Sequence, residues 1–510
     1  MQKKSVKSEP QTKTFWPAVI NGAAVTLFYI ALNWNTFAAP FERDEGEYAY
    51  SAWITAQGMV PYLDTFLHKP PLTIFTYLLG YLISPGAVWP VHVIGGLFLL
   101  ATALLLGWCA KKLYGRLAGF AVPWLFIALM ATPAVYPFAA NTEKFMLLPM
   151  TAVLALFISK GTHTARQVWF WAGFLSATAL LFKPICLFVL VLLHGVWFYE
   201  VWRHNRTESV RHASLVLAGG VAATALVCGY FIARGAGGPL WELNVKFNSQ
   251  MAVLLGEGSS ALVTHIKELA VYWWAAGLLC IGYFYKRPSR WLFLGGLLLC
   301  AFLAVYRDAN GHYYILLIPF IALAGAGFLS TMNKKAAVLV CAGAVIANIA
   351  PMVKQVRYSP RDFILALYRG NPFAESVDMA QKLREYTTDS DEVLIGGSEP
   401  QILYYAKRKS ATRFVIMYPL MYATPSAEKY QGQAIDELAD KKIKAVVVAR
   451  TGASWMMGPR TPELFMPFFT KYLTDYDFEG GYATEDGKTY WLTGPANEDK
   501  VLLALYIRKP

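Results

Sequence analysis

The sequence predicts a mainly α, polytopic membrane protein with a small α/β extracytoplasmic domain at its C-terminus. Three observations predict it. Of 510 residues, 56% are hydrophobic and only 15% charged, with a mean hydropathy of +0.37; soluble domains average roughly 45–50% apolar and about 25% charged. The apolar excess lies in runs of about 15–22 residues between position 15 and about 353, near the length a helix needs to cross a ~30 Å hydrocarbon core. Lys and Arg collect between alternate runs, as the positive-inside rule requires, so the net charge of +13 reports topology rather than nucleic-acid binding.

Taken in order, residues 1–15 carry four lysines and form a cytoplasmic tail. The first span, about 16–39, delivers the next stretch to the outer face. The apolar run 71–84 is about 21 Å long as a helix, too short to cross, and Ser84-Pro85-Gly86 breaks it. It reads as a juxtamembrane or re-entrant helix within a catalytic outer loop, 40–87. Pro70 and Pro71 suit its start. The remaining spans fall near 88–109, 117–134, 145–159, 168–182, 185–202, 213–233, 268–285, 291–305, 313–330 and 336–353. That makes eleven, with at least two Lys or Arg in every inside loop and the C-terminus outside.

The membrane part thus covers 16–355 and the soluble part 356–510. In the latter, Glu392–Ile395 and Lys444–Val448 read as short buried strands, Ala427–Lys442 as a helix, and Lys488–Thr493 and Val501–Ile507 as later strands. The six cysteines all lie in or beside apolar runs and read as packing residues, with neither a disulfide framework nor metal spacing.

The functional signal is in the outer loops. Phe41–Tyr50 packs four carboxylates into the six positions 42–47, directly after a span. Ionisable groups at the membrane boundary point to function. Ala49, Ala52, Trp53 and Ala56 follow at helical spacing, as in an amphipathic helix lying on the membrane. The pattern leaves two readings of Asp44: an N-cap with Glu47 as its capping-box partner, or a catalytic carboxylate. Lys69, a cation before a helix start, is odd for stability but suits a bound anion such as a lipid phosphate; an interface lysine is the alternative. His68 reads either way. Glu143 opens the fourth span, as a first-turn carboxylate or as a second general-base group paired with Asp44. Lys183 is either a phosphate ligand or a snorkelling lysine. Arg307, Asp308, His312, Tyr313 and Tyr314 form a polar break between apolar runs, and an arginine there suits bidentate phosphate contact or a topological anchor. The topology places all of these near one membrane surface.

These motifs resemble the GT-C glycosyltransferases. Asp44-Glu45-Gly46, an amphipathic helix and His68-Lys69-Pro70-Pro71-Leu72 are similar to the bacterial branch related to protein O-mannosyltransferases and lipid A aminoarabinose transferases. Asn141-Thr142-Glu143-Lys144 resembles that family's second acidic motif, and Gly311-His312-Tyr313-Tyr314 with Leu316-Leu317-Ile318-Pro319 its late span motif. Gly397-x-x-Pro400-x-x-x-Tyr404-Tyr405 resembles the stretch after its last span. The resemblance implies the GT-C fold and transfer of a sugar from a polyprenyl-phosphate donor on the outer face, with inversion, to a lipid, glycan or protein acceptor. It implies Asp44 and Glu143 as the catalytic carboxylates and Lys69 as the lysine that meets the lipid phosphate, with Arg307 and Lys183 as further candidates. Glu45, Glu47, His68, His312 and Tyr313 become candidate substrate ligands. Glu47 departs from the aminoarabinose transferases, which tend to carry Arg there. No cofactor is expected, and a divalent cation such as Mg or Mn stays open. The rival readings are a transporter or flippase of lipid-linked sugars, and a non-catalytic envelope-assembly scaffold.

Overall fold

The structure, a computed structural model, describes residues 12–136, 138–159, 166–255, 260–287, 291–307, 310–485 and 487–510. Asp308 and most of the lysine-bearing N-terminal tail lie outside these residues. The helical part comprises α1 (Thr12–Asn33), α2 (Arg43–Ala56), α3 (Leu72–Ile83), α4 (Trp89–Tyr114), α5 (Arg116–Met130), α6 (Thr142–Ser159), α7 (Arg166–Phe182), α8 (Leu187–His204), α9 (Arg206–Ala233), α10 (Gly237–Trp241), α11 (Asn248–Leu255), α12 (Ser260–Lys286), α13 (Gly296–Val305), α14 (Ile318–Leu329) and α15 (Lys334–Ile349). A helix lies over each of the eleven expected spans. Seven helices among the described residues are long and apolar enough to cross a membrane, while Arg116–Met130 and Leu292–Val305 are shorter apolar helices. The chain is a multi-pass membrane protein. Helix α3 has 12 residues, about 18 Å, and packs against α2, α4 and α7.

The C-terminal α/β domain adds α16 (Pro360–Leu367), α17 (Phe373–Tyr386), α18 (Pro400–Ala406), α19 (Tyr418–Met421), α20 (Ala427–Leu438), α21 (Gly452–Trp455) and α22 (Phe465–Leu473). Its strands are β1 (Glu392–Gly396), β2 (Lys409–Ser410), β3 (Ala445–Ala449), β4 (Tyr476–Glu485), β5 (Lys488–Leu492) and β6 (Leu503–Arg508), in the order β2-β1-β3-β6-β4-β5. The first three run parallel; β6, β4 and β5 join antiparallel. Val446 and Val447 of β3, which lies between β1 and β6 in the middle of the sheet, are fully buried. Strand β4 was not expected from sequence: Gly480-Gly481 interrupts its apolar pattern, and the ladder accommodates them with a register shift between Phe478 and Gly480.

Two expectations for α2 are corrected. Its N-cap is Glu42, not Asp44. The Glu42 carboxylate accepts from the amides of Asp44 and Glu45 at 3.1 Å each, and Glu45, not Glu47, closes the capping box. Nor does α2 lie on a surface. Every residue from Glu45 to Ile54 is buried, because the C-terminal domain covers the face that would otherwise meet water.

The membrane helices pack tightest where glycines remove side chains. A Cβ at Gly173 of α7 would stand 1.9 Å from the Val216 carbonyl oxygen of α9, and one at Gly219 would stand 1.9 Å from that of Phe170. Gly173→Ala and Gly219→Ala are each expected to destabilise by about 1–3 kcal/mol through overpacking. Gly195→Ala, with open space around it, leaves the melting temperature unchanged. Thermal unfolding of the three variants in detergent checks this.

Candidate active site

Helix α2 presents three faces to three surroundings, as the 100° step between residues dictates. Arg43, Gly46, Tyr50 and Trp53 face the C-terminal domain. Glu45, Ala49 and Ala52 face the membrane helices. Asp44, Glu47 and Tyr48 face the site between them.

Glu45 holds the helix in place. Its carboxylate accepts from the Ala140 amide at 2.6 Å and from the Tyr77 hydroxyl at 3.3 Å, and lies 2.9 Å from His92 Nε2. It is fully buried, so it sits behind the site as a clamp joining α2, α3, α4 and the segment before α6.

Asp44 Oδ2 accepts from Lys69 Nζ at 2.9 Å. Burial alone would raise the Asp44 carboxyl. Lys69, with His312 and Lys183 behind it, overrides burial and holds the group well below the ordinary carboxylate range. Burial likewise opposes the Lys69 ammonium, and Asp44 reverses this and holds it charged. The Asp44 side chain keeps 27% of its surface open against 10% for Lys69, so Asp44 is the accessible partner.

A second pair stands beside the first. Glu143, in the first turn of α6, lies 2.9 Å from Lys183 Nζ and 3.7 Å from His312 Nε2. Lys183 follows the last residue of α7 and donates to the Tyr313 hydroxyl at 2.9 Å. Asp44 and Glu47 both feel the Lys183 charge, so the two pairs form one cluster of alternating sign.

Glu47 differs from its neighbours. It is 1% exposed, and among the described residues neither carboxylate oxygen has a hydrogen-bond partner. Burial, reinforced by Asp44 and opposed by Lys69 and Lys183, pushes it up to about 8.

The structure thus brings together Asp44, Glu47, Lys69, Glu143, Lys183, His312 and Tyr313 from five separate stretches. His68 adjoins them, but its ring meets Phe247 edge-on, with centroids 5.7 Å apart. Burial, then Lys69, pushes its imidazole well below the ordinary range. Arg307 lies exposed in the turn after α13, outside the buried cluster. Sequence reasoning missed Tyr422. Burial pushes its hydroxyl up to about 12, and the charges of Lys69 and Asp44 both act on it. An apolar groove of about 450 Å³ runs between α3, α4, α6 and α7. Leu72, three residues after Lys69, and Phe182, next to Lys183, line it together with Phe75, Phe98 and Leu148. Among the described residues, no group of three or more His, Cys, Asp or Glu side chains could hold a metal ion.

The architecture, membrane helices followed by a small α/β domain, has the GT-C fold of the solved structures it resembles. Among solved structures, it resembles ArnT from Cupriavidus metallidurans bound to undecaprenyl phosphate. The identity is 14% and the TM-score 0.57, over 97% of this chain and 98% of that one. The same protein in its apo state matches at a TM-score of 0.52 and 13% identity, over 97% and 98%. AglB, the oligosaccharyltransferase of the archaeon Archaeoglobus fulgidus in complex with an inhibitory peptide and a dolichol-phosphate, matches at 0.53 and 13% identity, over 96% of this chain and 75% of that one. No protein-family model and no curated protein sequence matches the chain.

The state of Glu47 sets a pH dependence of stability. The folded protein keeps Glu47 neutral up to about pH 8, whereas an unfolded chain ionises it near the ordinary glutamate value of 4.5. Its contribution is therefore fully present below about 4.5 and is lost as pH rises towards about 8. Glu47→Gln removes that loss. The melting temperature of Glu47→Gln relative to wild type is expected to rise steadily across this window. A difference independent of pH would contradict a neutral Glu47.

Proposed function

We propose that this chain is an integral-membrane glycosyltransferase. It moves a sugar from a polyprenyl-phosphate-linked donor to an acceptor hydroxyl at the outer face of the plasma membrane, with inversion, in envelope glycan or glycoconjugate assembly. The observation that carries the reading is the cluster of two carboxylate–lysine pairs, Asp44–Lys69 and Glu143–Lys183, beside an apolar groove. Such a site suits a ligand that is anionic at one end and hydrocarbon at the other. That ArnT and AglB, which share this fold, have been captured with undecaprenyl phosphate and dolichol-phosphate supports the same donor class here.

In this reading the acceptor oxygen bonds to the anomeric carbon as the bond from that carbon to the phosphate oxygen breaks. The electron pair leaves with the lipid phosphate, and the acceptor proton passes to Asp44. Lys69 and Lys183 stabilise the charge growing on the leaving phosphate. Glu143 orients Lys183, and Tyr313, His312 and Glu47 line the space the sugar enters. In the resting protein each lysine is held by a carboxylate. An arriving phosphate competes for Lys69, and Asp44, relieved of its cation, regains the basicity its task needs.

The flippase reading is less well supported. It calls for polar groups at mid-membrane, whereas these sit at helix ends: the first turns of α2 and α6 and just past α7. The scaffold reading leaves the cost of burying so many charges unexplained.

The test is transfer by the full-length protein reconstituted in liposomes with radiolabelled polyprenyl-phosphate sugars. Asp44→Asn is expected to lower transfer by roughly 10²–10⁴-fold while still binding donor, and Lys69→Ala to weaken donor binding. Undiminished transfer by Asp44→Asn would remove Asp44 from the role of base.

A further inference from the structure

The C-terminal α/β domain grips α2 one residue from Asp44. The Arg43 guanidinium donates through Nε to the Ser398 carbonyl at 2.6 Å and through Nη2 to Asn371 Oδ1 at 3.2 Å, and forms an ion pair with Glu399. Glu399 is fully buried; its second oxygen accepts from Gln401 Nε2 at 2.6 Å, and that amide also reaches Ser376 Oγ at 3.0 Å. The rings of Phe373 and Tyr418 lie 5.3 Å and 5.7 Å from the guanidinium.

The same face of α2 is held along its length. A Cβ on Gly46 would stand 2.6 Å from the Gln401 backbone nitrogen, so glycine lets α18 lie directly against α2. The Ser410 amide donates to the Tyr50 hydroxyl at 2.8 Å, and Lys407 Nζ lies 5.6 Å from the Trp53 ring. The Phe41 amide, just ahead of α2, donates to the Tyr405 hydroxyl at 2.7 Å. The charged contact is the part of this interface nearest Asp44. It also continues to the site, since Tyr418, beside Arg43, packs on Tyr422 with ring centroids 5.6 Å apart.

We propose that Glu399 is a positioning residue for the reaction: through Arg43 it sets the rotation and height of the first turn of α2, and so where Asp44 meets the acceptor hydroxyl. The C-terminal domain is then part of the catalytic apparatus. A buried arginine with several fixed partners has one arrangement of lowest energy, whereas a purely apolar contact allows the helix to slide. The carboxylate that sets Asp44 comes from a different part of the fold, so the position of the base depends on the seating of the C-terminal domain.

This inference rests on Asp44 acting as the base, and its test separates the two. Glu399→Gln, Glu399→Asp and the paired Arg43→Gln/Glu399→Gln variant are compared in full-length reconstituted protein. Arg361→Gln, which breaks the Arg361–Asp378 pair within the C-terminal domain, controls for lost stability. For Glu399→Gln the expected result is a kcat lowered roughly 10–100-fold, as small misplacements of reacting groups produce, with donor KM and donor binding changed less than about threefold. Glu399→Asp recovers part of the rate, and the control keeps its kcat. Hydrogen exchange of the 44–50 amides, read without substrate, is faster in Glu399→Gln and unchanged in the control. Unaltered exchange at 44–50, or a loss no larger than the control's, overturns the proposal whatever the chemistry proves to be. Absence of transfer by wild type together with faster exchange in Glu399→Gln overturns the reading of Asp44 alone and leaves the coupling of domain to helix standing.

Discussion

Burying the first turn of α2 is the constraint on which this structure depends. Glu42, Arg43, Asp44, Glu45 and Glu47 occupy six consecutive positions, and all but Asp44 are at most 9% exposed. An unpaired buried charge costs several kcal/mol. The fold therefore has to bring a partner to each: backbone amides to Glu42, Glu399 to Arg43, Lys69 to Asp44, and Tyr77, His92 and the Ala140 amide to Glu45. Those partners come from the segment leading into α3, with α3 itself, from α4, from the segment before α6 and from the C-terminal domain. Satisfying one helical turn thus fixes how four parts of the molecule meet. Glu47 is the exception; it is accommodated by giving up its charge.

The alternating pairs leave the resting cluster close to neutral. Under the proposed transferase reading, that suits a site which receives an anionic donor without holding it permanently. A cluster of bare lysines would bind any phosphate and release the product slowly. A lysine already shared with a carboxylate binds more weakly but exchanges partners readily, and the exchange alters the basicity of the carboxylate it leaves. Stability of the empty protein and readiness for chemistry thus draw on the same two ion pairs.

Much of this was legible in the residues. Hydropathy and the placement of Lys and Arg located the helices, and the acidic run after the first span, with Lys69, Glu143, Lys183 and His312, named most of the cluster. What escaped had physical causes. Glu42 was passed over as N-cap because Asp is the commoner capping residue, although only Glu42 has the extended backbone that a cap needs. The helical spacing of Ala49, Ala52, Trp53 and Ala56 predicts an amphipathic helix lying on the membrane, because nothing local reveals that a domain from the far end of the chain covers the other face. Glu399 gave no signal for the same reason: its partner lies 356 residues away in sequence. Gly46 carries no local sign that it is the point where α2 meets the backbone of α18. In β4 the paired glycines hid a strand that the sheet tolerates by shifting register.

That long separation bears on how the protein is made. The helices preceding α16 can be inserted as the chain emerges, but Arg43 lacks its Glu399 partner until the C-terminal domain has been synthesised and folded. Until then the first turn of α2 lacks its outer wall, and Asp44 lacks a defined place. With the proposed coupling, the membrane part is assembled before its site is ordered, and order comes with the C-terminal α/β domain. Under the transferase reading proposed above, an unfinished copy holds no organised site in which to consume its lipid-linked donor.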